Sequence, residues 1–253
     1  MANLEFFYDL SSPWTYLAFN NVQPVLKETG ASVMWRPFLV GGVFNAVNPD
    51  VYAARAEPMD PKVVHNFRWL HEWARLAGLP LTFPTEHHPV KSVLAMRVCC
   101  ALEHDQSALE AFSRAAFDAY FSRGENIDSP DVLIAVANGC GLQGDELISI
   151  TAEQAIKDHL RANTEEAIAR GAYGSPTLFV GNDSLLWQRS TPWSNRRWQT
   201  SRSRIVAGDS PAESPPRDSP GRYFPDQYAG NPVRSRDRLQ SCPTSGYPRS
   251  ARG

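Results

Sequence analysis

Apolar positions fall into two rhythms, and the first to appear is that of a strand. Asn3 to Tyr8 is dense in apolar and aromatic residues and reads as a buried first strand. Ser11-Ser12-Pro13 ends it and starts a helix, since Ser caps a helix well and Pro fits the first turn, where a missing N–H costs nothing. That helix carries Tyr16, Leu17, Val22 and Leu26, bends at Pro24 and stops at Gly30. Ala31 to Val40, with Val33, Trp35 and Phe38, is a second strand, and the three elements make one right-handed βαβ unit. Gly41 to Met59 reads as loop, with Asn45, Asn48-Pro49 and Pro58.

From about residue 60 the period becomes helical. Pro61 to Gly78 places Val64, Phe67, Leu70, Trp73-Ala74 and Ala77 at helical spacing. Leu79 to Pro84 is extended and punctuated by proline. Helices are expected over Ser92 to His104, Ser107 to Arg123, Ser129-Pro130-Asp131 to Val136, Asp145 to Ile150 and Ala152 to Arg170. The second of these carries Leu109, Phe112, Ala116, Phe117, Tyr120 and Phe121, a wide apolar stripe that belongs to a core. Gly174-Ser175-Pro176-Thr177 then leads into an apolar strand. The pattern predicts an α/β fold in which residues 1–60 and 171–187 form one domain, 61–170 a helical insertion, and 188–253 a separate tail.

Composition narrows the class. The chain has 253 residues and 42% apolar content, enough for a sizeable core. A net charge of −2 gives no reason to expect nucleic acid or an acidic membrane as partner. No apolar run approaches a bilayer span, and the N-terminus has Glu5 and no basic region, so no signal peptide is expected. Cys99, Cys100, Cys140 and Cys242 form no Cys-x-x-Cys and no disulfide framework or zinc pattern, which favours a reducing, cytoplasmic setting. Vicinal Cys99 and Cys100 read as small apolar core groups. His87 and His88 do not share a helical face and have no third ligand nearby, so no metal is expected.

The candidate chemistry begins at Ser12. A hydroxyl where a strand hands over to a helix meets free N–H groups and the positive end of the helix dipole, which suits an anion. The residues alone leave two readings open: a cap, or a ligand-binding group. Ser12-Pro13-Trp14-Thr15 resembles the Cys-Pro-x-Cys of the DsbA branch of the thioredoxin fold, with Ser12 and Thr15 in place of the cysteines. The stretch Tyr8 to Ala18 is similar to the opening of 2-hydroxychromene-2-carboxylate isomerases, glutathione-dependent relatives of kappa-class glutathione transferases. Gly78-Leu79-Pro80 to Phe83-Pro84, and Asn163 to Ala167 through Gly174-Ser175-Pro176-Thr177, resemble the same family. The resemblance covers roughly residues 3–183.

It implies a thioredoxin-like α/β fold of the DsbA/kappa type with an all-helical insertion. It implies that Ser12 is catalytic and holds the thiolate of glutathione, the cofactor. It places Pro176 in the cis form beside Ser12, with the Ser175 backbone offered to the peptide like an added strand. Asn48 and Lys62 match pocket residues of relatives, and His88 is a third pocket candidate; for Lys62 a solvated lysine at a helix start is equally open. Relatives usually carry asparagine where Lys91 stands. The implied partner is a small aromatic substrate, with no nucleic acid or membrane, and a homodimer is left open.

Past residue 183 the resemblance fails. Relatives continue with a Gly-Asn-Asp-Arg run and a final helix, whereas this chain reads Leu185-Leu186-Trp187-Gln188-Arg189-Ser190. Codons for these six residues, read one base on, can spell Phe-Phe-Gly-Asn-Asp-Arg. From Gln188 onward there are twelve Arg, no Lys and nine of the twenty Pro, with no sustained period. A frameshifted, unpacked C-terminus is expected; a genuine basic, proline-rich tail that binds a partner is the other reading.

Overall fold

The computed structural model describes residues 3–52, 59–181 and 183–186. The calls on the tail, the frameshift and the absent terminal helix lie outside the described residues. Strand β1 (Asn3–Tyr8) leads into α1 (Pro13–Thr29), β2 (Ser32–Pro37) and α2 (Val40–Val47). Helices α3 (Pro61–Leu76), α4 (Val93–Leu102) and α5 (Gln106–Phe117) follow, the last continuing into a π-helical turn at Asp118–Ser122. Then come α6 (Pro130–Gly139), α7 (Gly144–Ile150), α8 (Gln154–Ala169), β3 (Thr177–Val180) and β4 (Asp183–Leu186).

The sheet runs in the order β2-β1-β3-β4. β2 is parallel to β1, as a βαβ unit requires, while β3 is antiparallel to β1 and β4 to β3. Central β1 is buried on both faces, which explains its near-continuous apolar run. Phe6 stands level with Trp35 on one side and Leu178 on the other. With Leu4 and Tyr8 it faces a core built from Phe19 of α1 and Phe112 and Phe117 of α5. Phe7 and Phe179 point the other way, toward Phe38, Val43 and Ala167. The helical stretch and the sheet therefore share one core, and Leu133 of α6 and Leu160 of α8 belong to it. Cys99 and Cys100 are buried there. At the free side of β2, the Gln106 side chain accepts from Trp35 N–H at 2.6 Å and donates to Trp35 C=O at 3.3 Å.

Two expectations need correction. The second strand ends at Pro37, short of Val40, although Phe38 N–H still reaches Tyr8 C=O at 3.1 Å. The stretch read as loop from Gly41 opens instead with helix α2. Val40, Val43, Phe44 and Val47 recur at i, i+3, i+4 and i+7, so the apolar face was there; the glycine pair masked it. Gly42 is small for a packing reason: a Cβ there would lie 2.8 Å from Thr164 Cγ2 on α8. The helix start is held from outside, because Leu39 N–H donates to Thr164 Oγ1 and Val40 N–H to Asp9 Oδ2. Residues 53–58 of that loop call lie outside the described residues. Among the described residues no helix is long and apolar enough to cross a membrane.

Candidate active site

Ser12 caps α1 in extended backbone geometry, with its Oγ accepting from Thr15 N–H at 3.3 Å. Pro13 has no N–H and Tyr16 N–H goes to Ser12 C=O, which leaves Trp14 N–H as the first-turn donor not used inside the helix. The first turn carries no acidic residue. The cap reading of Ser12 therefore holds, and it leaves room for the other one. The same hydroxyl donates to the Ser175 carbonyl at 3.0 Å. Ser175 precedes a cis peptide bond to Pro176, so the two distant motifs meet. Ser175 is fully buried, and its Oγ accepts from Asp9 N–H at 2.9 Å and pairs with Thr15 Oγ1 at 2.7 Å. Hydroxyls thus stand at both thiol positions of the motif, Ser12 and Thr15, with that of Ser175 against Thr15.

Asp9 is the buried titratable group beside Ser12 that motif reading passed over. It lies just past β1, fully buried. Its Oδ1 accepts from Ser11 N–H at 2.9 Å and Ser11 Oγ at 2.8 Å, its Oδ2 from Val40 N–H at 2.9 Å, and the Ser92 side chain adds a further hydrogen bond. Burial pushes its carboxyl above the ordinary value and these neutral donors pull it partly back. The one available signal was an acid at the end of an apolar strand. A cavity of about 310 Å³ opens over Asp9 and Ser11. Leu39, Val40 and Phe44 form one wall, and the segment from His88 to Val93 forms the other.

Of the remaining candidates, His88 lines this cavity together with Lys91. Asn48 caps the end of α2 and donates from Nδ2 to Tyr173 C=O at 3.3 Å, which ties it to the loop entering Ser175. Lys62 is not brought in: it is exposed in the first turn of α3, where its N–H donates to Asp60 Oδ1 at 2.7 Å, and it does not line the cavity. Its side chain faces water because the apolar stripe of α3 is on the other side. Burial pushes the Cys99 thiol up to about 12 and the Cys100 thiol higher still, which disfavours the thiolate of both. Among the described residues no three His, Cys, Asp or Glu side chains group to hold a metal.

The site sets a hydroxyl and a helix N-terminus beside buried backbone, with a cavity next door. Comparison with known proteins shows the family. The sequence model of the DSBA-like thioredoxin domain matches residues 3–206, running past the point near 183 where the motif resemblance ends. The chain is 27% identical over 191 residues to the 2-hydroxychromene-2-carboxylate isomerase of Sphingobium xenophagum, covering 73% of this chain and 91% of that one. It is 28% identical over 182 residues to glutathione S-transferase kappa 1 of Homo sapiens, covering 68% and 78% respectively. A solved structure of a 2-hydroxychromene-2-carboxylate isomerase superposes with a TM-score of 0.64 at 21% identity, covering 81% of this chain and 95% of that one. The thioredoxin-like fold that the two motifs implied is borne out.

Proposed function

The chain belongs to the DSBA-like thioredoxin domain family, and from that premise we propose that it is a glutathione-dependent isomerase converting 2-hydroxychromene-2-carboxylate to trans-o-hydroxybenzylidenepyruvate. Its curated relatives include isomerases and kappa transferases. The reaction would belong to the cytoplasmic breakdown of bicyclic aromatics. The observation that carries the reading is the Ser12 hydroxyl, 3.0 Å from the carbonyl that precedes cis-Pro176, with Thr15 in place of a second thiol. A site with hydroxyls in both thiol positions cannot cycle a disulfide, so a bound thiol must bring the sulfur.

The chemistry glutathione supplies when bound is reversible nucleophilic addition by sulfur to a conjugated carbon, which frees the bond to rotate. The chain's own residues prepare that sulfur. Ser12 O–H and the α1 N-terminus favour thiolate over thiol, lowering its pKa from the usual ~8.5. Ser175 and Pro176 hold the peptide backbone. Leu39, Val40 and Phe44 take the aromatic body in the cavity, and Lys91 and His88 on the opposite wall suit its carboxylate. Ser12 itself is no nucleophile, because its hydroxyl hydrogen bonds a carbonyl and an N–H and meets no base.

The test is incubation of the purified protein with the chromene carboxylate, with and without glutathione, and identification of products by chromatography and mass. The trans-pyruvate is expected, only with glutathione, and with no sulfur retained. A second reading, a kappa-like transferase, rests on the human relative's identity of 28%, level with the isomerase's 27%. A stable thioether product would select it. Failure of both chemistries with no glutathione binding would leave a non-catalytic thioredoxin-like binding protein.

A further inference from the structure

Of the described residues that line the cavity, Asp9, His88 and Lys91 can carry charge. Asp9 already has its partners. It is fully buried, and its oxygens accept from Ser11 N–H and Oγ, from Val40 N–H and from the Ser92 side chain. His88 is folded into the wall, with its backbone N–H on Thr85 C=O at 3.1 Å and its ring in an edge contact with Phe83, 4.7 Å between centroids. Lys91 stands apart. It is exposed, and among the described residues it forms no ion pair. Glu86, the nearest acid in the sequence, lies against His87 at 3.3 Å. Across from Lys91 the wall of Leu39, Val40 and Phe44 is apolar, and the space between, about 310 Å³, has room for a small ligand.

We propose that Lys91 is the specificity-determining residue of this cavity and makes it take aromatic or conjugated carboxylates in preference to their neutral counterparts; that such an acid is turned over there rests on the isomerase reading above. A carboxylate that leaves water for an apolar cavity gives up its hydration, and the exchange is unfavourable unless a charge or a donor meets it. The floor does not help, because the Asp9 carboxyl is no partner for a second carboxylate. Lys91 reverses the balance. Its ammonium is a compact charge with three donors on a flexible stem, which suits a carboxylate in any orientation. Without that ammonium, the apolar wall and the Asp9 carboxyl favour the neutral compound. The preference is a difference between two affinities, and Lys91 sets its sign.

The test uses the full chain and two probes of one shape, trans-cinnamate and trans-cinnamamide, with binding read by isothermal titration calorimetry. The native chain is expected to bind the acid about tenfold more tightly than the amide, as one charge-assisted contact gives. Lys91→Met is expected to bind the amide more tightly than the acid, and Lys91→Arg to restore the preference for the acid. Lys91 is exposed, so neither change disturbs the fold. Equal weakening of both probes in Lys91→Met, an acid preference that survives it, or binding of neither probe by the native chain overturns the proposal. Turnover separates this result from the isomerase reading. With glutathione and the chromene carboxylate, Lys91→Met is expected to raise KM about tenfold and leave kcat nearly unchanged. An acid preference set by Lys91 without isomerised product sinks the isomerase reading and keeps the assignment of Lys91. Isomerised product with no acid preference does the reverse.

Discussion

Glu5 and Asp9 stand on one strand and just past its end, and they are held in opposite ways. Glu5 meets cations. Arg170 reaches its two oxygens at 2.7 and 2.9 Å and Arg36 one of them at 3.5 Å. The Arg170 hydrogen bonds hold its carboxyl below the ordinary value. The arginines are themselves tied down, Arg170 over the Phe179 ring at 3.9 Å and Arg36 to Glu166 at 2.6 Å and Glu103 at 3.0 Å. Asp9 is more deeply buried and its bonded partners are all neutral. One end of the strand pairs its carboxyl with cations and the other holds a buried carboxyl on amides and hydroxyls alone. A locally unfavourable arrangement of that kind is where function concentrates, and here it underlies the Ser12 loop, the start of α2 and the cavity at once.

The strongest way to break the contrast is Asp9→Ala. It strands the Ser11 and Val40 N–H groups in a buried place, and a stability loss of about 3 kcal/mol is expected in urea unfolding. Next is Ser12→Ala, which should raise the pKa of bound glutathione and cut turnover about tenfold, or ~1.4 kcal/mol, by thiolate absorbance and steady-state rates. Unchanged values for both would leave Ser12 as a cap alone. Arg170→Met keeps an apolar stem over Phe179 and removes the ion pair. Because Glu5 and Arg170 are both partly exposed, solvent screening limits the expected loss to about 1 kcal/mol.

The smallest effect sharpens the comparison most, because the two carboxyls have opposite signs. Asp9 is raised, so the fold binds its proton more tightly than the unfolded chain does. Its stabilising share is complete below the ordinary 3.8 and is lost as pH rises through the raised value. Glu5 is lowered, so its share is present above the ordinary 4.5 and is lost as pH falls through the lowered value. Asp9→Asn should therefore remove the part of the stability profile that falls with rising pH, and Glu5→Gln the part that rises. Urea midpoints measured across the acid range would show whether each variant takes away its own slope and leaves the other.

What could be read from the chain was whatever is encoded locally. Ser12-Pro13 announces a helix start, Gly30 a stop, and Phe6-Phe7-Tyr8 a strand buried on both faces. The helical stretch after residue 60 was legible from its period. Helix α2 was not, because its first N–H groups are satisfied by Asp9 and Thr164, which lie far away in sequence. Asp9 was overlooked for a related reason: beyond the local Ser11, its partners arrive from α2 and from Ser92. Lys62 matched a motif position but its helix turns it to solvent. Ser12 and Ser175 were found because a family resemblance supplied the long-range contact that spacing alone could not.

The Gln106 amide on Trp35 has a consequence for how copies of this chain can meet. A side chain there offers the edge strand one acceptor and one donor, the pair that a neighbouring backbone would otherwise present. With its most central residue already matched, β2 is a poor template for an incoming strand. At Trp35 the glutamine discourages strand pairing along that flank, and Gln106→Ala is expected to weaken this protection, which light scattering would read as increased self-association.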